Sequence, residues 1–119
     1  MNIIKSFKDL IVWQKSIILV KEVCILLQKL PTDERFGLIS QMRRSAVSIP
    51  SNIAEGSKRG TSKDYLQFLR IANGSCAELE TQLVITKELY GVTVGEVDEL
   101  LIEVQKMLQS IIKTLSTET

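Results

Sequence analysis

From Tyr65 to Tyr90 the chain repeats one pattern. Tyr65, Leu69, Ala72, Cys76, Leu79, Leu83, Thr86 and Tyr90 recur at alternating steps of four and three. A mean spacing of about 3.5 residues keeps one face of a long helix against a partner for about four heptads. A strand cannot use this spacing, because its side chains alternate with a period of two. A helix of this length, apolar on one face only, cannot stand alone in water. The rest of the chain must supply what covers it.

Three further segments have the matching character. Leu10, Trp13, Ile17, Val20, Cys24 and Leu27 form a stripe that ends before Leu30-Pro31, where proline forces its predecessor out of the helical region. Leu38, Met42, Ala46, Ile49 and Ile53 form the seam of a second helix, with Thr32 as cap and Asp33 and Glu34 in its positive first turn. Pro50 lies inside it, removes the bond to the Ala46 carbonyl and predicts a kink. The third helix has Thr61 or Ser62 as cap and Gly91 as its stop. Val97, Leu101, Val104, Leu108, Ile111 and Leu115 make the fourth stripe, with Thr93 to Glu96 as a capping box and residues 116–119 expected to fray. The helices fall at about 8–29, 33–56, 62–90 and 94–115, each roughly 30 Å long at 1.5 Å per residue. Short connections make neighbours run antiparallel. The expected fold is all-α, a single domain over residues 1–119 built as an up-down-up-down four-helix bundle.

Composition agrees. Two prolines and six glycines in 119 residues leave long helical stretches, and 45% hydrophobic with 24% charged residues is a globular balance. The N-terminus has no apolar run of leader length, and Lys21 with Glu22 breaks the first apolar segment. No membrane partner is therefore expected. Cys24 and Cys76 fall on apolar faces and read as reduced, buried thiols of a cytoplasmic protein.

The sequence argues against catalysis. It has no histidine, the commonest general base and metal ligand. Two cysteines alone do not make a usual zinc site, and the Glu-x-x-His pairs of di-iron bundles cannot occur. The expectation is a protein without catalytic residues, metal or cofactor.

More helix surface is apolar or short-chain polar than one bundle needs. Phe36, Val47, Pro50 and Ala54 lie beside the second seam. Beyond them runs a ribbon of Gly37, Gln41, Arg44, Ser48, Asn52 and Glu55. The third helix has its own ribbon of Gln67, Ile71, Gly74, Glu78, Gln82, Ile85 and Leu89. Ile11, Ile18 and Ile25 stand off the first stripe, and Leu100, Met107 and Ile112 off the fourth. Gly74 in mid-helix costs about 1 kcal/mol relative to alanine, which close approach of another helix would offset. These faces predict a homo-oligomer. Arg43 and Arg44 point about 100° apart on a helix, so they serve different surfaces. At least one is expected to pair with Glu55, Glu78 or Glu80, within the chain or across an interface; the alternative is two solvated arginines.

Charge is segregated. Residues 35–63 hold Arg35, Arg43, Arg44, Lys58, Arg59 and Lys63 against Glu55 alone, whereas the following forty or so are mainly acidic; the net charge is +1. Lys58, Arg59 and Lys63 surround a Gly-flanked turn and are candidates for contacting RNA or DNA phosphates. A solvated basic turn is the alternative. A ring that offers one surface repeatedly to a protein partner is the other functional reading.

The runs LISQMRRSAVSIPSNIAEG at 38–56, DLIVWQK at 9–15 and FLRIANGSCAELETQL at 68–83 closely resemble the signature of the four helix bundle protein family. That family is also called the ribosomal S23 or 23S rRNA intervening-sequence protein family. The resemblance covers about residues 7–115. It implies a left-handed bundle, assembly as a homopentameric ring, and a bacterial cytoplasmic origin. It marks Arg43, Arg44, Ser48, Asn52, Glu55, Gly56, Gly74, Ser75, Glu78 and Gln82, and it supplies no catalytic role for any of them. The family name refers to where the genes lie and is not itself a statement of RNA binding. A related group, the strongly basic accessory proteins of diversity-generating retroelements, differs from this chain in charge.

Overall fold

A computed structural model describes residues 6–118. Residues 1–5, which belong to the stretch read as lacking a leader, and Thr119 lie outside the described residues. Four helices carry the fold: α1 (Ile11–Leu27), α2 (Leu38–Ser57), α3 (Ser62–Tyr90) and α4 (Gly95–Glu118), with short 3-10 turns at Phe7–Asp9 and Thr32–Glu34. No strand occurs among the described residues, and none of their helices is long and apolar enough to cross a membrane.

Residue pairings give the directions. Between α2 and α3, the Thr86 hydroxyl meets Met42 Sδ, Ser45 meets Glu78 and Ser48 meets Ser75, so numbers rise on one helix as they fall on the other. Gln105 to Glu80 and Arg70 to Ser116 do the same for α3 and α4. Lys15 pairs with Glu103 at 2.5 Å across α1 and α4. Trp13 lines one groove with Pro50, and Leu27 lines another with Ile39, across α1 and α2. Each helix runs beside two others, and the backbones of diagonal pairs stay apart. The helices therefore occupy the corners of a prism, 47 × 23 × 22 Å overall.

One core fills the axis. Met42, Ala46, Ile49 and Ile53 from α2 meet Leu69, Ala72, Cys76, Leu79 and Leu83 from α3 and Leu101, Val104 and Leu108 from α4. Each large aliphatic side chain buried here contributes about 1.5–3 kcal/mol. The stripes expected for α2, α3 and α4 are the ones that face inward, with Ile111 and Leu115 only partly buried. Pro50 is buried and α2 continues through it to Ser57.

Helix α1 differs from expectation. The residues it buries are Val12, Ser16, Leu19, Val23, Leu26 and Leu27. Of the expected stripe only Leu27 is fully buried, while Ile17 is exposed. The inward stripe starts one residue away from Trp13, a rotation of about 100°. Both stripes are apolar, so periodicity alone cannot choose between them. Ser16 is tolerated inside because its hydroxyl donates to the Trp13 carbonyl at 2.7 Å.

Helix ends also shift. α1 begins at Ile11 and α2 at Leu38, later than the expected 8 and 33. Residues 32–34 form a separate 3-10 turn, and the Glu34 carboxylate accepts from Leu38 N–H at the true start of α2. At the start of α4, the Val94 carbonyl accepts from Asp98 N–H. Val94 therefore takes the capping position expected of Thr93. The last turn of α4 stays helical through residues expected to fray, where the Ser116 hydroxyl donates to Ile112 O and accepts from Arg70.

Candidate functional site

Beside the apolar contact of α2 with α3 runs a row of short polar side chains. Ser45 Oγ donates toward Glu78 Oε1 at 2.9 Å and lies 3.1 Å from Gln41 O, one proton shared between two acceptors. Ser48 Oγ and Ser75 Oγ are 2.8 Å apart. Asn52 Nδ2 donates to the Ser48 carbonyl and hydroxyl at 2.8 and 2.9 Å. These groups are small enough for the two backbones to come close, and each bond helps fix the register of the pair. Gln82 ends the row. It is 6% exposed, and its Oε1 is buried without a hydrogen-bond partner, an arrangement that costs about 1–3 kcal/mol if nothing donates to it. One turn further along α3, Thr86 Oγ1 donates to the Gln82 carbonyl.

The last turn of α2 uses a glycine for contact with α3. A Cβ on Gly56 would lie 2.7 Å from Phe68 Cβ and 3.0 Å from Tyr65 Cδ1. Only glycine fits there. Gly74 is the opposite case: a Cβ there would meet nothing within 4 Å. The close approach expected at Gly74 is not made by this chain's own helices.

The basic turn lies past Gly56. Arg59 is engaged twice: it pairs with Glu55 at 2.6 Å, and its guanidinium stacks 4.8 Å above the Phe68 ring. Lys58 and Lys63 are exposed and have no partner among the described residues. Gly60 supplies the left-handed turn at φ 87°, and Thr61 Oγ1 caps α3 by accepting from Asp64 N–H at 3.1 Å.

Arg43 and Arg44 are both exposed, and neither forms an ion pair among the described residues. Their expected carboxylates are engaged elsewhere: Glu55 with Arg59, Glu78 with Ser45, Glu80 with Gln105. Among the described residues Arg43 and Arg44 make no ion pair within one copy. Arg43 stands at the rim of a groove shared with Leu27, Leu30, Arg35 and Ile39.

The row thus brings together Ser48, Asn52, Glu78 and Gln82 of the expected polar residues. It leaves Arg43, Arg44 and Gly74 facing outward and separates Lys58 and Lys63 from Arg59 in role. Reading the sequence missed two features. Ser45 joins Glu78, and its position two turns before Asn52 was the available signal. Phe68 carries Arg59, for which no sequence pattern stands out.

The Cys76 thiol is not a reactive group. Burial pushes Cys76 up to about 12, with the Glu80 charge adding to the effect. Tyr90 donates its hydroxyl to the Glu34 carboxylate, and that bond, more than its slight desolvation, raises it above the usual tyrosine value. Among the described residues no group of His, Cys, Asp or Glu is placed to hold a metal ion.

The family model described as 23S rRNA-intervening sequence protein matches residues 8–113. A crystal structure of a protein with unknown function from the S23 ribosomal protein family, from Bacteroides thetaiotaomicron, superposes with a TM-score of 0.76. It is 28% identical and covers 87% of this chain and 99% of its own. No curated protein matches significantly.

Proposed function

This chain belongs to the 23S rRNA-intervening sequence protein family as a non-enzymatic four-helix-bundle protein, and from that premise we propose that it works as a homo-oligomer: five left-handed, up-down-up-down bundles closed into a ring in the cytoplasm. The observation that carries the reading is the apolar surface one copy leaves in water. Leu89 is 64% exposed, Ile11 59%, Val84 57% and Ile18 50%, and Ile25, Ile71, Ile85 and Ile102 add to them. Apolar surface recurring along α1 and α3 is the mark of an interaction face. In this reading Arg43, Arg44, Glu55, Gly74 and Glu78 lie at or beside contacts between copies. Ser48, Asn52 and Gln82 form the polar row that holds α2 and α3 in register behind them.

Native mass spectrometry, with and without nuclease treatment, tests the assembly. The expected species is five times the 13.4 kDa chain. A folded species that stays at 13.4 kDa at micromolar concentration overturns the proposal.

A second reading is supported by the two free cations. Lys58 and Lys63, with Arg59 between them, stand at one end of the bundle, so a ring would repeat the basic turn in every copy. Weak phosphate contacts multiplied this way suit RNA or DNA. Binding should weaken steeply with salt and disappear in Lys58→Glu/Lys63→Glu. An assembly that carries no polynucleotide and ignores added RNA and DNA leaves the protein-interaction scaffold as the reading.

A further inference from the structure

Ring closure places a geometric demand on a single copy. A closed ring of more than two copies uses two unlike patches on each, one for either neighbour. When the bundles stand along the ring axis, those patches are turned from one another by roughly 90–120° for about four to six copies. Patches on opposite sides would give an open row. The α1–α2 and α2–α3 faces share α2 and are adjacent in the prism, so they meet the demand.

The two faces are also unlike in shape. The α1–α2 face carries an apolar groove of about 300 Å³ between Trp13 and Ile17 on one side and Val47, Pro50 and Ala54 on the other. On the α2–α3 face, α3 presents exposed Ile71, Gly74 with open space beside it, and exposed Glu78. One is a furrow, and the other is a helix ridge with a gap in it.

Rotation about an axis preserves height, so groups at one level in a copy meet groups at the same level in the next. Levels follow from the pairs inside the chain: Ser45 with Glu78 and Ser48 with Ser75. Val47 and Pro50 therefore lie level with Gly74 to within about one turn, and Arg43 lies level with Glu78 to within about one turn. Arg43 is a cation without an acceptor among the described residues. Glu78 uses Oε1 for Ser45, and its other oxygen has no partner among the described residues.

We infer that the α1–α2 groove of one copy receives the α3 ridge of the next, with Gly74 set against Val47 and Pro50 and Arg43 paired with Glu78 of the neighbouring copy. The inference rests on the homo-oligomer reading above and names its contact. The missing side chain at Gly74 lets the ridge sink into the groove. The charge pair fixes the order of the two faces, because neither face carries both partners.

Charge reversal tests it in the full chain, with helix content by circular dichroism as the control, since both residues are exposed. Arg43→Glu and Glu78→Arg should each weaken assembly roughly tenfold or more and shift mass toward 13.4 kDa. The double variant Arg43→Glu/Glu78→Arg should restore it. Gly74→Leu, which fills space open in one copy, should dissociate the assembly without unfolding the chain. If the unaltered protein is monomeric, the parent reading fails. If it assembles but both single variants assemble equally well, or the double is no better than the worse single, this docking is wrong and the oligomer stands.

Discussion

Gly56 and Gly74 are both glycines that the fold places inside helices, α2 and α3. Their surroundings are opposite. At Gly56 the Phe68 and Tyr65 side chains occupy the place of a Cβ; at Gly74 there is empty space. The first glycine is used up by the fold of one chain. The second lowers helix propensity and meets no offsetting contact among the described residues, which is the contact the proposed assembly would supply. A helical glycine thus signals close approach without saying to what.

The sharpest way to break this contrast is Gly56→Ala. The added methyl must push Phe68 Cβ, a backbone-anchored atom 2.7 Å away, so the substitution should destabilise by about 1–3 kcal/mol despite its better helix propensity. Urea denaturation measures it, and a more stable variant would mean α2 and α3 part easily there. Gly91 supplies a second reference, since its need is conformational. At φ 64° it closes α3 with open space around it, and Gly91→Ala should cost about 1–2 kcal/mol. For Gly74→Ala the sign reverses: a chain held monomeric by Arg43→Glu should gain about 1 kcal/mol, as expected for a helix interior with nothing to clash. A loss instead would show that something within the chain uses the gap.

A test of another kind concerns the core row next to Gly74. The Cys76 thiol is neutral in both states below about pH 9, whereas between 9 and about 12 it ionises only in the unfolded chain. Stability from this group is therefore full below 9 and is lost as pH rises toward 12, by up to about 1.4 kcal/mol per pH unit. The difference in urea midpoint between pH 8 and pH 10 should shrink in Cys76→Ala. At pH 8 a maleimide should label Cys76 only upon unfolding.

The stripes of α2, α3 and α4 were legible because each of those helices puts its apolar residues mostly on one side. α1 was misread by one residue because Val12, Leu19 and Val23 compete with Trp13, Ile17 and Val20, and nothing local distinguishes them. The start of α2 was misplaced because the cap-like Thr32 and the acidic pair after it belong to a separate short turn. Within the site, Ser48, Asn52, Glu78 and Gln82 stood out as short or amide side chains on helical spacing. Arg59 read like Lys58, and only the position of Phe68 and Glu55 separates an anchored arginine from two free lysines.

Sequence alone determined the number and kind of elements, since periodicity, proline and glycine stops and apolar content act within a few turns of chain. Tertiary structure decided which of two apolar stripes on α1 turns inward, which glycine is crowded, and which cations of the described residues are paired. Those choices depend on distances between residues far apart in the chain, and a local pattern carries no record of them.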